Sequence, residues 1–262
     1  MNVYQHEGVS IQYVDQGVGE PIFFIHGLGA DHAMYQPQIE EFSKDYRVLA
    51  PDLRGNGLSS KLEGPINTVL DRQCEDVVGI MDKLKIEKAV FSGVSYGGVF
   101  NFHFALTYPE RVAGLIISDS FSDTKVRSVQ DFINLIALYI ALPLFYFPTL
   151  LKPAIKKSYE RWPLAQKHMS RAFENLRGRE VILQRFAINK ANHTPDLHKY
   201  EGPVLGMVGD DVPLLIGYMR RAMDQLEEGE LVIIEDSFDP SNLCAAEKYN
   251  SLVREYLAKV GW

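Results

Sequence analysis

Apolar positions along this chain recur in two alternating rhythms. Val9 to Val14 (VSIQYV) alternates apolar and polar residues, which predicts a half-buried strand turned by Gly17 and Gly19. Pro21 to His26 (PIFFIH) is a continuous apolar run, as expected of a strand covered on both faces. Tyr46 to Ala50, Ala89 to Phe91, Val112 to Ile117, Pro203 to Val208 and Leu231 to Ile234 predict further strands. Between them lie helical patterns at Tyr35 to Ser43, Val69 to Leu84, Val99 to Tyr108, Leu214 to Leu226 and Leu243 to Leu257. In the second of these, Val77, Ile80, Met81 and Leu84 mark the buried face. Strands alternating with helices predict an α/β fold, a mostly parallel sheet with helices on both faces. The rhythm breaks after Ser120. From 121 to 200 the pattern is helical throughout, punctuated by Pro143, Pro148, Pro153, Pro163 and Gly178. This predicts a helical cap (121–200) inserted into a core formed by 1–120 and 201–262.

Bulk properties narrow the function. The 262 residues, 46% hydrophobic and 23% charged, suit one globular unit with a sizeable core. A net charge of −7, with no basic cluster beyond Lys152 to Lys157, argues against a nucleic-acid partner. Cys74 and Cys244 make neither a metal spacing nor a disulfide framework, so no metal or cofactor is expected and a cytoplasmic location is the default. The N-terminal residues are polar and lack the pattern of a signal peptide. Ile136 to Leu151 is nearly charge-free, but its 16 residues are broken by Pro143 and Pro148, short of the roughly 20 a spanning helix needs. Buried or lid helices are expected there, with contact to a lipid surface as the alternative and no stable membrane insertion.

The chemistry concentrates at Gly93-Val94-Ser95-Tyr96-Gly97. A predicted strand precedes it and a helix follows, so a sharp turn would lift the Ser95 hydroxyl above the sheet. A helix N-terminus and the Tyr96 N–H would then face an oxyanion formed there. Together with His26-Gly27-Leu28-Gly29 and Asp52-Leu-Arg-Gly-Asn-Gly-Leu-Ser59, this motif resembles the α/β-hydrolase fold superfamily, in particular its capped, esterase-like serine hydrolases. The resemblance implies an eight-stranded sheet, an oxyanion hole from the N–H groups of Leu28 and Tyr96, and a Ser…Asp…His order of catalytic residues. His26 would position its loop rather than move protons. The implied acid follows Pro203 to Val208, where Gly209-Asp-Asp-Val-Pro213 favours Asp211 over Asp210. An acid after the sixth strand, at Asp119 or Asp123, is the alternative.

The implied base is missing. Aligning the last helix puts the family's histidine slot at Phe238-Asp239, and no histidine follows the last strand. His32 and His103 are expected to be packing residues, and His193 and His198 to have no path to Ser95. An aspartate ionises near 3.9, against about 6.5 for histidine, so Asp239 facing Asp211 would be a poor base unless its pKa rises. The expectation is a serine hydrolase of carboxylic esters or similar acyl compounds, with Ser95 as nucleophile and much reduced turnover. Its substrate would be small and apolar, held by cap residues such as Phe132, Leu135, Tyr139, Phe145, Tyr146 and Phe147. A second expectation comes from another class. Ser120-Phe-Ser-Asp-Thr124 and Asn242-Leu-Cys244 resemble the maspardins, hydrolase-fold proteins regarded mainly as binding partners, which implies a protein-interaction role.

Overall fold

The continuous apolar runs become the middle of one sheet. The computed structural model describes all 262 residues, with strands β1 (Asn2–His6), β2 (Val9–Gln16), β3 (Pro21–Ile25), β4 (Arg47–Pro51), β5 (Ala89–Val94), β6 (Val112–Ser118), β7 (Val204–Gly209) and β8 (Gly229–Ile234). Their order is β1-β2-β4-β3-β5-β6-β7-β8. The strands from β4 to β8 in that order run parallel, and β1 and β2 add antiparallel pairs at one edge.

Side chains on successive strand residues point to opposite faces, so a strand covered twice must be apolar throughout. Phe23, Ile25, Leu49 and Phe91 pack on one face, under α2 (Val69–Lys83), α3 (Tyr96–Thr107) and α8 (Pro213–Met223). Ile22, Phe24, Val48 and Val90 pack on the other, under α1 (Gln36–Phe42) and α10 (Ala246–Lys259), which follows the short α9 (Ser241–Cys244). Strand β1 was not legible in the sequence pattern. It pairs on one side only and carries mostly exposed residues, so it needs no apolar signal. A tight turn at Glu7-Gly8, both at positive φ, returns the chain into β2.

Between β6 and β7 there are α4 (Val129–Ala141), α5 (Pro148–Ser158), α6 (Pro163–Glu174) and α7 (Gly178–Lys190). A capping box at Ser128 and Asp131 starts α4, and prolines in the first turn start α5 and α6. The Ile136 to Leu151 stretch is helical, and of the two forms expected there, buried or lid helices, burial does not apply. Of Val129–Tyr146, only 6% is buried. No other element packs on its outer face.

Candidate active site

Strand β5 ends at Val94, and α3 begins at Tyr96, three residues earlier than the apolar pattern suggested. Ser95 bridges them at φ 53°, ψ −112°, a left-handed conformation costly for a residue with a Cβ. Its backbone is fixed from both sides. The Ser95 N–H donates to the Ser118 carbonyl at 2.9 Å, and the Ser120 hydroxyl donates to the Ser95 carbonyl at 2.7 Å. Two glycines permit the crowding: a Cβ on Gly93 would strike the Gly97 carbonyl, and one on Gly97 would strike the Ile25 carbonyl.

Ser95 opens into a cavity of about 280 Å³ that Asp119 and Asp239 also line. The remaining wall comes from Phe121, Thr124, Leu214, Leu215 and Tyr218, and from Asp131, Asn134, Leu135 and Leu138 on the inner face of α4. Arg185 of α7 completes it. Tyr96 is the first residue of α3, so its N–H has no acceptor within the helix. The Leu28 N–H makes no backbone hydrogen bond.

The two carboxyl groups differ in their surroundings. Asp119, at the end of β6 with φ 45°, is 1% exposed. It accepts hydrogen bonds from the Gly209 N–H (3.0 Å), the Ser241 N–H (2.6 Å) and the Ser241 hydroxyl (2.8 Å). Burial pushes its pKa up to about 6 although these three donors favour the charged form. Asp239 follows β8, and burial together with the charge of Asp119 raises its pKa well above the usual carboxylate range. The loop that carries it is tied to the cap. The Tyr159 hydroxyl donates to the Asp239 carbonyl at 2.7 Å, and the Trp162 indole donates to the Asp236 carbonyl at 2.9 Å and stacks on Phe238.

Asp211 is placed elsewhere. It accepts from Arg161 at 2.7 Å at a partly exposed position and does not line the Ser95 cavity. Asp210 accepts from the Ser237 N–H at 3.1 Å in the same exposed turn. The expectation that Asp239 faces Asp211 is therefore corrected: it faces Asp119. After β7 the Asp210-Asp211 turn is held by Ser237 and Arg161, and only from Leu214 does the chain line the cavity. Asp123, the other residue weighed after β6, is taken up by a bidentate pair with Arg127 at 2.7 and 2.8 Å.

No histidine lines the cavity. His26 donates from Nδ1 to the Gly27 carbonyl at 2.8 Å and accepts from the Leu53 N–H at Nε2 (3.1 Å), which fixes the oxyanion-side loop. Burial lowers its pKa. His32 pairs with Asp52 at 2.7 Å, and His103 with Asp71 at 2.7 Å. His193 packs 5.2 Å from the His103 ring, and burial brings its pKa down to about 4.

Arg185 is a site residue with no signal in the sequence. No carboxylate pairs with it, its buried Nε has no acceptor, and burial lowers its pKa. The expected apolar lining needs correction too. Leu135 faces the cavity, whereas Phe132, Tyr146 and Phe147 face outward, Tyr139 packs on Phe186 of α7, and Phe145 packs on Phe173. The pocket is therefore mixed, with a cation and an amide among its apolar walls.

A sequence model described as alpha/beta hydrolase fold matches residues 20–205, from the start of β3 through the elbow and cap into β7. The chain belongs to the α/β-hydrolase fold family. Among its relatives, a putative carbamate hydrolase RutD of Rhizobium rhizogenes is 27% identical over 256 residues, covering 93% of this chain and 95% of that protein. The 3-oxoadipate enol-lactonase 1 of Acinetobacter baylyi is 36% identical over 116 residues, covering 44% of this chain and 42% of that protein. Among solved α/β-hydrolase structures, a thermophilic esterase from Thermogutta terrifontis superposes with a TM-score of 0.82 at 23% identity, covering 98% of this chain and 97% of that one. The enol-lactonase from Burkholderia xenovorans also gives 0.82, at 22% identity, covering 98% of this chain and all of that one. At these identities the two structures establish the shared fold.

Proposed function

We propose that this protein is an α/β-hydrolase that forms acyl-enzyme at Ser95, with turnover limited by a carboxyl group in place of an imidazole. The observation that carries this is the cavity shared by a serine on a strained elbow, the buried carboxyl of Asp119 and the half-buried carboxyl of Asp239. In the first step the Ser95 oxygen bonds to the substrate acyl carbon and its proton passes to Asp239. The N–H groups of Leu28 and Tyr96 hold the oxyanion. Collapse breaks the bond to the leaving oxygen, which takes that proton back, and water repeats the sequence on the acyl-enzyme. Asp119 takes the acid position instead of Asp211.

The limitation is electrostatic. Two neighbouring carboxyl groups in a dry site tend to share one proton. Burial and the neighbouring Asp119 keep the proton on Asp239 to higher pH than on an ordinary aspartate, and while it is protonated it cannot accept the serine's. Ionised, it would be a stronger base than an ordinary aspartate, because burial and Asp119 raise its pKa. Turnover should therefore rise with pH as Asp239 gives up its proton. Removing a triad histidine costs a serine protease on the order of 10⁶ in kcat, which sets the scale of the deficit.

The unpaired guanidinium of Arg185 supports a substrate with a carboxylate or similar anionic group on the side away from the scissile bond. The esterase, lactonase and carbamate-hydrolase names of the relatives accord with small acyl substrates. Fluorophosphonate labelling, compared between the unaltered protein and Ser95→Ala, tests the nucleophile. Label on Ser95 that rises with pH as Asp239 ionises supports this function. A folded protein that never labels points to the non-catalytic role, which the lack of an imidazole in the cavity favours.

A further inference from the structure

The cap carries a surface that the chemistry at Ser95 does not use. On α4, the residues at 131, 134, 135 and 138 form one stripe and line the cavity. The opposite stripe, Val129, Phe132, Ile133, Ile136 and Ile140, is open to solvent, with Val129 at 77% and Ile140 at 74% exposure. The inner stripe is mixed, with Asp131 and Asn134 beside Leu135 and Leu138, whereas the outer stripe is wholly apolar and has no partner. The exposed surface continues past the turn through Phe147 and Leu150 at the start of α5. Patches of this kind mark interaction surfaces.

Charge identifies the occupant. Residues 121–200 hold thirteen of the 27 Lys and Arg but six of the 34 Asp and Glu, a net +7; Arg161 and Arg171 pair with carboxylates of the core and Arg185 lines the cavity, so the lysines of α5 carry the charge beside the stripe. Exposed Lys156 and Lys157 lie on α5 about 9 Å along the axis from Leu150, and Lys152 beside them is shared with Glu174. An apolar stripe edged by lysines is the pattern of a helix lying in the interface of an anionic bilayer, its side chains among the acyl chains and its ammonium groups at the headgroups. The helical run from Val129 to Tyr146 is long and apolar enough to cross a bilayer, but its inner stripe, with Asp131 and Asn134, walls the Ser95 cavity, so it lies on the core and offers lipid only its outer face. A second copy is a poorer match, since two positive caps repel one another.

We infer that the outer face of α4 and the start of α5 form a docking surface for an anionic lipid bilayer. The protein binds peripherally, cap down and acidic core away from the membrane. Because the inner face of α4 walls the Ser95 cavity, docking sets the lipid phase beside that site. The surface itself stands whether or not Ser95 is reactive, so its test measures binding alone.

The test is flotation of the full chain with phosphatidylcholine vesicles, with and without about 30% phosphatidylserine. The unaltered protein should float with the anionic vesicles, less so as salt screens the lysines. The double variant Ile136→Ser/Ile140→Ser, whose side chains face solvent and leave the core intact, should lower the apparent partition coefficient at least about tenfold. The double variant Lys156→Gln/Lys157→Gln should lower it on anionic vesicles and remove its salt dependence. Absence of binding to anionic vesicles overturns the inference, as does binding unchanged in both variants. Light scattering that shows a dimer dispersed by Ile136→Ser/Ile140→Ser, with no flotation, assigns the face to self-association and overturns it too.

Discussion

Replacing Asp239 by histidine should restore a proton acceptor where the structure has room and a partner for one. Asp119 already accepts three hydrogen bonds and, at a pKa near 6, is ionised at pH 7 to 8. An imidazole at 239 would meet that charge where Asp239 now meets repulsion, so its cationic form is favoured and its tautomer fixed. General-base catalysis contributes roughly 10²–10⁴, or about 3 to 5 kcal/mol of barrier. Hydrolysis of p-nitrophenyl acetate by Asp239→His should exceed that by the unaltered protein at least about 100-fold near pH 7.5. The pH profiles should differ in shape as well. The variant should level off above the imidazole pKa, while the unaltered protein continues to climb. Adding Asp119→Asn should remove most of the gain, by as much as about 10⁴. The reasoning fails if the folded variant is no faster, or if its gain survives Ser95→Ala.

The other predictions concern the same groups and their supports. Asp239→Asn should be more stable than the unaltered protein by a margin that widens with pH. A carboxyl whose folded pKa is raised holds its stabilising proton below the unfolded value near 3.9 and loses that contribution as pH rises toward the folded value; thermal melts whose gap does not widen as pH is raised from about 4 would contradict this. Arg185→Gln, made in the Asp239→His background, should raise KM for a carboxylate-bearing ester about tenfold or more and leave a neutral acetate ester unchanged; equal effects on both would rule out recognition of an anion. Gly97→Ala should cost about 3 kcal/mol or more in urea unfolding, because the added Cβ meets the Ile25 backbone and not a movable side chain. Arg54→Met should cost about 3–5 kcal/mol by the same measurement, since it strands the buried Asp76 carboxylate that Arg54 now holds at 2.6 and 2.8 Å; a loss below about 1 kcal/mol would class this as an ordinary surface pair.

The sequence by itself determined the sheet apart from its edge strand β1, the helices on its faces and the nucleophile elbow. Each follows from local rules: strands buried twice are apolar throughout, as Phe23 and Phe24 show on opposite faces, and the Gly93 to Gly97 turn tolerates no other spacing of small residues. It also placed Asp239 by its distance from α10. Tertiary structure decided which carboxyl group meets it. Asp119 and Asp239 are 120 positions apart in the numbering and come together because β6 and β8 flank β7 and end at the same edge of the sheet. Asp211, nearer in sequence, is carried outward to Arg161. The exposure of α4 and the isolation of Arg185 were likewise invisible in the chain. An apolar stripe reads the same whether a core covers it or not, and a cation's partners are known only once every other segment has been placed.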